Sequence, residues 1–236
     1  QNSIGELHAV MKDLAEAYDV QETAEVQLET IMRQRMGANE EQIQSIKDLA
    51  SAQQELGVIG DEVQLSGAQQ MATFLNQKQS LDVLIPAMNN LIAQQNGLNA
   101  TNQDAVSIGN MMGKAMQGQT EVLQRVGITF TEAQKRMLTY GDESERAAVL
   151  AQVITDNVGQ MNAELAKTDG GKTKQLTNTL GDYKEKLGQL VGGAMPFITI
   201  TAQVTICIAA TAKLVTSMAA LSAAFSLSSI KAAVLA

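Results

Sequence analysis

The chain has 236 residues, room for one large domain or two small ones, and is 45% hydrophobic but only 3% aromatic, with no Trp. A core with so few rings is filled by Leu, Ile, Val, Ala and the 12 Met, which suits helix-on-helix packing better than a deep single-domain enzyme. The net charge is −8, and Lys213 and Lys231 are the only charged residues from Leu187 onward. The body, residues 1–186, therefore carries a net of −10 and lacks the basic balance of a sequence-independent nucleic-acid binder, while a single cysteine, Cys207, excludes a disulfide framework or a cysteine metal site within one chain.

With only Pro86 and Pro196 as prolines, long helices are favoured. Residues 1–30 are polar and charged, unlike a signal peptide. Absence of an initiator Met and an end inside an apolar run read as a piece of a longer polypeptide, with a processed or engineered start as the alternative. Ile4, Leu7, Met11, Leu14 and Tyr18 are spaced 3, 4, 3, 4, one face of a helix that continues to about Met36 and ends at Gly37. Asn39 with Gln42 forms a capping box that opens a second helix, with Ile43, Ile46 and Ala50 inward and a break at Gly57 and Gly60. A third helix is expected over Leu65 to Gln77, with Ala68, Met71 and Leu75 inward.

Leu81, Leu84, Met88 and Leu91 mark a fourth helix that starts near Pro86 or kinks there, and Gly97 with Asn99 forms a turn. Thr101 caps a helix with Ala105, Ile108, Met112 and Ala115 on one face, where Gly109 and Gly113 permit close helix approach. Gly118 and Gly127 bracket a short helix, then Thr129 or Thr131 caps one that ends at Tyr140-Gly141. Asp142 with Glu145 opens a helix whose inward face is Ala147, Leu150, Ile154, Val158, Met161 and Leu165. Residues 168–171, Thr-Asp-Gly-Gly, read as a loop before a helix striped by Leu176, Leu180, Tyr183, Leu187 and Leu190. From Ile198 to Ile208 the alternation fits a strand, but the longer, Ala-rich stripe of Val204, Cys207, Thr211, Leu214, Met218, Leu221 and Phe225 argues for helix.

Together these give an all-α chain in three parts: an N-terminal amphipathic helix over 1–37, a compact multi-helix module over 38–186, and an apolar helical segment over 187–236. The chemistry-bearing motifs of nucleotide binding, zinc ligation and nucleophilic hydrolysis are missing from the sequence. His8, the one histidine, reads as a solvated group at a helix start, and Asp142, Glu143 and Glu145 as acids attracted to a helix N-terminus rather than a catalytic pair. No catalytic, cofactor or metal residue is therefore assigned, and the expectation is a non-enzyme. Leu187 to Ala212 carries no charge and exceeds the roughly 20 residues needed to span a bilayer. Gly188 and Gly192 at its start have the spacing of close-packed helices, so Gly188, Gly192, Pro196, Phe197, Val204, Cys207, Leu214, Met218, Leu221 and Phe225 mark either a helix-packing or a membrane segment, and both readings stay open.

The runs Ile108-Gly109-Asn110, Lys114 to Gly118, Val126 to Gln134, Gly141-Asp142-Glu143, Arg146-Ala147, Thr168, Gly171-Lys172, Gln175-Leu176, Asn178, Leu180 to Asp182, Lys186 and Leu190 occur in an order that resembles the tail length tape measure proteins of tailed phages and prophages. The resemblance covers roughly Ser66 to Pro196. Asp169-Gly170 departs from it, since related sequences often carry Pro in that loop. It implies a structural and assembly role: helical copies inside the growing tail tube set its length, coated first by tail assembly chaperones and then by the tail tube protein. Implied partners are thus other copies of the chain, the tube protein, the chaperones and the host membrane, with no specific nucleic-acid site. Implied locations are the host cytoplasm during assembly, the tail lumen of the virion, and the host envelope at infection, where apolar segments aid genome delivery. A fully extended helix of this length spans at most about 350 Å, but frequent caps and glycines imply helices that fold back. The apolar segment alone supports an alternative, a helical membrane-active pore-forming or translocator protein. A helical hydrolase domain, which some tape proteins carry, has little support in these residues.

Overall fold

Capping residues and glycines divide the sequence into segments of helical period, and the backbone follows them. The computed structural model describes residues 2–193, with side chains from Ala9 to Gln189 except Met11, and every regular element among them is helical. The order is α1 (Asn2–Met36), α2 (Glu40–Leu56), α3 (Asp61–Ala72), α4 (Lys78–Asn96), a 3-10 turn (Gly97–Asn99), α5 (Asn102–Ala115), α6 (Glu121–Gln124), α7 (Glu132–Tyr140), α8 (Glu143–Val158), α9 (Met161–Ala166) and α10 (Asp169–Gly193). Residues Gln1–Gln189 form one compact unit.

Four helices open on reciprocal capping boxes: Asn39 with Gln42, Thr101 with Asp104, Thr131 with Gln134, and Asp142 with Glu145. Each box satisfies two amides that the first helical turn leaves without partners. Thr131, not Thr129, caps α7; the Thr129 amide and hydroxyl donate instead to Asn157 Oδ1 at 2.9 and 2.8 Å.

The core lies on α3 and α4, which pack against α1, α5, α8 and α9. Leu65, Ala68, Met71, Leu75, Leu81, Leu84, Met88 and Leu91 are all buried there. Burying a Leu or Met side chain contributes roughly 1.5–3 kcal/mol, so this set outweighs any single polar contact. Where α3 crosses α5 the two backbones nearly touch: a Cβ on Gly109 would lie 2.2 Å from the carbonyl oxygen of Gly67. Gly113 likewise leaves room for the Phe74 ring. Inside this apolar layer Gln64 is fully buried and fully used, donating to the carbonyls of Ala50 (3.0 Å) and Ile59 (2.9 Å) and accepting from Asn89 Nδ2 (2.7 Å).

Four expectations are corrected. The third helix begins at Asp61 rather than Leu65 and ends at Ala72, because Asp61 and Glu62 take the first turn, where acids suit the helix dipole. Pro86 sits inside α4 and does not start it. The single helix expected from Asp142 to Leu165 is two, α8 and α9, divided at Gly159, whose φ of 66° takes the chain out of α8. The Thr168 to Gly171 loop is the start of α10: the Gly171 amide donates to Thr168 Oγ1 at 3.0 Å, as at an N-cap, and Asp169 opens the helix. The strand-or-helix question over Ile198 to Phe225 lies outside the described residues.

Candidate functional site

The stripe Leu176, Leu180, Tyr183, Leu187 marks one face of α10, and the structure turns only part of it inward. Leu176 is 40% and Tyr183 54% exposed, while Leu180 and Leu187 are half-buried. Beside those two leucines the contact with the body takes a polar row, Gln175, Asn178, Asp182 and Glu185, spaced 3, 4, 3. Gln175 Nε2 donates to the Glu55 carbonyl (3.0 Å) and Asn178 Nδ2 to the Val58 carbonyl (3.2 Å), both at the end of α2. The first is an open carbonyl of the last turn of α2 and the second lies in the bend just past it, so polar residues on α10 satisfy what an apolar stripe would leave unpaired.

Farther along, Gln54 joins three helices. Its Nε2 donates to both carboxylate oxygens of Asp182, at 3.1 and 2.9 Å, and its Oε1 accepts from the Asp61 amide at 2.8 Å. Beyond it a cavity of about 440 Å³ opens between α1, α2, α3 and α10. Six of its lining residues are acids, Glu22, Glu25, Glu29, Asp61, Asp182 and Glu185, and Lys186 is the lining cation. Lys47 on α2 stands behind the α1 wall, paired with Glu25 at 2.6 Å and with Glu29. Burial opposes the charge of Lys47, but the hydrogen bonds to Glu25 and Glu29 hold its pKa above the usual lysine value.

The crowding shows in the acids. Burial, with the charges of Asp61, Glu62, Asp182 and Glu25, pushes Glu185 up to about 8. Burial, with Glu62 and Asp182, pushes Asp61 up to about 7. Both therefore exchange protons near neutral pH, where ordinary carboxyls do not. Among the described residues no group of three or more His, Cys, Asp or Glu is placed to hold a metal ion. Asp61 and Glu185 carried no signal as sequence, because neither lies in a motif and their neighbours come from other helices.

The acids that did stand out hold the fold. Asp142 and Glu145 are the two halves of the α8 capping box. Glu143, 7% exposed, accepts from the Asn76 amide and side chain, the Gln77 amide (2.9 Å) and the Ser80 hydroxyl (2.8 Å), so the first residue of α8 closes the α3–α4 turn. Asn162 does the same elsewhere: its Oδ1 accepts from the Val58 (2.8 Å) and Ile59 (3.3 Å) amides.

Of the helix-packing candidates, Gly188 is buried against α1, where a Cβ would lie 2.4 Å from the Leu14 carbonyl oxygen. Nearby, Lys184 Nζ pairs with Asp13 at 2.7 Å, and Leu14 is 8% exposed. Gly192 belongs to the last turn of α10. Pro196, Phe197, Val204, Cys207, Leu214, Met218, Leu221 and Phe225 lie outside the described residues, as does the His8 side chain. Among the described residues no helix is long and apolar enough to cross a membrane. Comparison with protein-family models, with curated proteins and with solved structures gives no match.

Proposed function

We propose that the chain is part of a phage or prophage tape measure protein, a structural and assembly polypeptide that works through shape and contact and makes no bonds. The observation that supports this reading is the use of the polar residues in the stretch carrying the resemblance. Thr131 and Gln134 cap α7, Asp142 and Glu145 cap α8, Glu143 closes a turn, Thr168 opens α10, and Asn178 bonds to the end of α2. Each starts a helix or ties one element to another, whereas catalysis requires groups converging on a reacting atom. In this reading residues 38–186 are a folded-back helical module of the tape, α1 leads into it, and residues 187–236 are the apolar segment that meets other copies or a host membrane.

The tail tube protein, the assembly chaperones and further copies of the chain are the proposed partners. The test is in-frame deletion of helical segments of the full-length gene, with tail lengths measured by electron microscopy. Tails that shorten in proportion support the proposal, and tails of unchanged length overturn it. Lysis of liposomes by the purified chain alone favours the membrane-active alternative.

A further inference from the structure

Amphipathic helices bury their apolar side, and α10 does so only in part. Its contact with the body carries Gln175, Asn178, Asp182 and Glu185 beside the half-buried Leu180 and Leu187, while Leu176 and Tyr183 stand in solvent. Hydrophobic burial is therefore only part of what holds it. The rest is a set of hydrogen bonds to α2 and a seam in which like charges meet. From α10 the seam contains Asp182, Glu185 and Lys186; from α3, Asp61 and Glu62; from α1, Tyr18, Glu22, Glu25 and Glu29; and from α2, Lys47, Ser51 and Gln54. Lys47 is committed to Glu25 and Glu29, and Lys184 on α10 to Asp13. Acids outnumber the cations that can answer them, and Asp61 among them is buried while Glu185 is half-buried.

We propose that α10 is a pH-sensitive latch: protonation within this seam holds it on the body at mildly acidic pH, and ionisation lets it detach as pH rises through neutrality. The direction follows from linkage. Glu185 is pushed up to about 8 by burial first and then by Asp61, Glu62, Asp182 and Glu25, and detachment returns it toward its ordinary value of 4.5. A carboxyl with a raised pKa in the docked state stabilises docking fully below its ordinary pKa, and that stabilisation is lost as pH climbs through about 8. Asp61, pushed up to about 7 by burial and by Glu62 and Asp182, acts in the same sense over a lower part of the window. In the docked state Gln54 bridges Asp182 of α10 and the Asp61 backbone, so this bridge is among the bonds broken when α10 leaves.

The test is hydrogen–deuterium exchange of the full chain from pH 6 to 8.5, expressed as protection factors so that the intrinsic pH dependence of exchange is removed. Peptides over residues 175–189 are expected to lose protection by more than about tenfold across this range, while peptides over α4 keep theirs. Glu185→Gln, which keeps size and removes the charge, is expected to keep most of the α10 protection at pH 8.5, the smaller loss that remains coming from Asp61. Asp61→Asn, which removes a facing charge, is expected to move the loss of protection to higher pH. Unchanged protection of α10 between pH 6 and 8.5 overturns the proposal. So does a Glu185→Gln chain whose α10 loses protection as the parent does. Protection of α4 reports in every sample that the body is folded, so a misfolded variant is recognised and Asp61→Asn then decides.

Discussion

Replacing Glu143 by Ala removes the acceptor for four donors: the Asn76 amide and side chain, the Gln77 amide and the Ser80 hydroxyl. A hydrogen bond to a charged group is worth roughly 1.5–3 kcal/mol, but these four are not additive. Asn76 and Gln77 are exposed, so their donors can turn to water once the carboxylate is gone. Ser80, 2% exposed, cannot do so without opening the start of α4. The expected loss is therefore about 2–4 kcal/mol, set by the Ser80 bond, part of the turn, and the space left by a side chain almost wholly buried. Glu145→Ala is the matched control, because Glu145 is exposed and only completes a capping box, a loss of about 0.5–1 kcal/mol. Urea unfolding followed by helical circular dichroism measures both. Equal midpoints for the two variants would refute the claim that Glu143 joins α8 to the α3–α4 turn.

Gly109→Ala places a methyl 2.2 Å from the Gly67 carbonyl oxygen and is expected to destabilise by about 1–3 kcal/mol or more, whereas Gly181→Ala meets nothing within 4 Å and is expected to stabilise by about 0.5–1 kcal/mol. Thermal melts of the pair check the opposite signs. Asn162→Ala leaves the buried Val58 and Ile59 amides without their shared acceptor and should lower stability by about 2–4 kcal/mol in the same urea assay. Because Asp61 and Glu185 are both raised by burial and neighbouring acids, urea midpoints should fall between pH 6 and 8.5, and Glu185→Gln should flatten that slope.

How much of this was legible depends on the range of the interactions. Asn39 with Gln42 and Asp142 with Glu145 were readable because a capping box is complete within four residues. The inward faces of α2 and α5 were readable because Ile43, Ile46 and Ala50, and Ala105, Ile108, Met112 and Ala115, have one apolar stripe and no rival. α10 has two stripes of similar spacing, and the choice was made by the open carbonyls of Glu55 and Val58, which lie 120 residues away from the side chains that satisfy them. Glu143 is similarly opaque, since its partners at Asn76 and Gln77 precede it by more than 60 residues. Asp61 and Glu185 come together only after four helices have assembled, so no local pattern could announce their raised pKa values.

The half-wetted apolar stripe of α10 also bears on which variables drive its motion. Leu176 and Tyr183 are wetted before the helix leaves the body, so leaving newly wets chiefly Leu180, Leu187 and the Leu14 beside Gly188, not a whole stripe. Heat-capacity change and denaturant sensitivity both scale with freshly exposed surface, so both are smaller for this step than for a helix whose entire apolar stripe is covered. Detachment of α10 thus leaves a muted trace in calorimetry and against urea, while the proton acts on it directly through the acids of the seam.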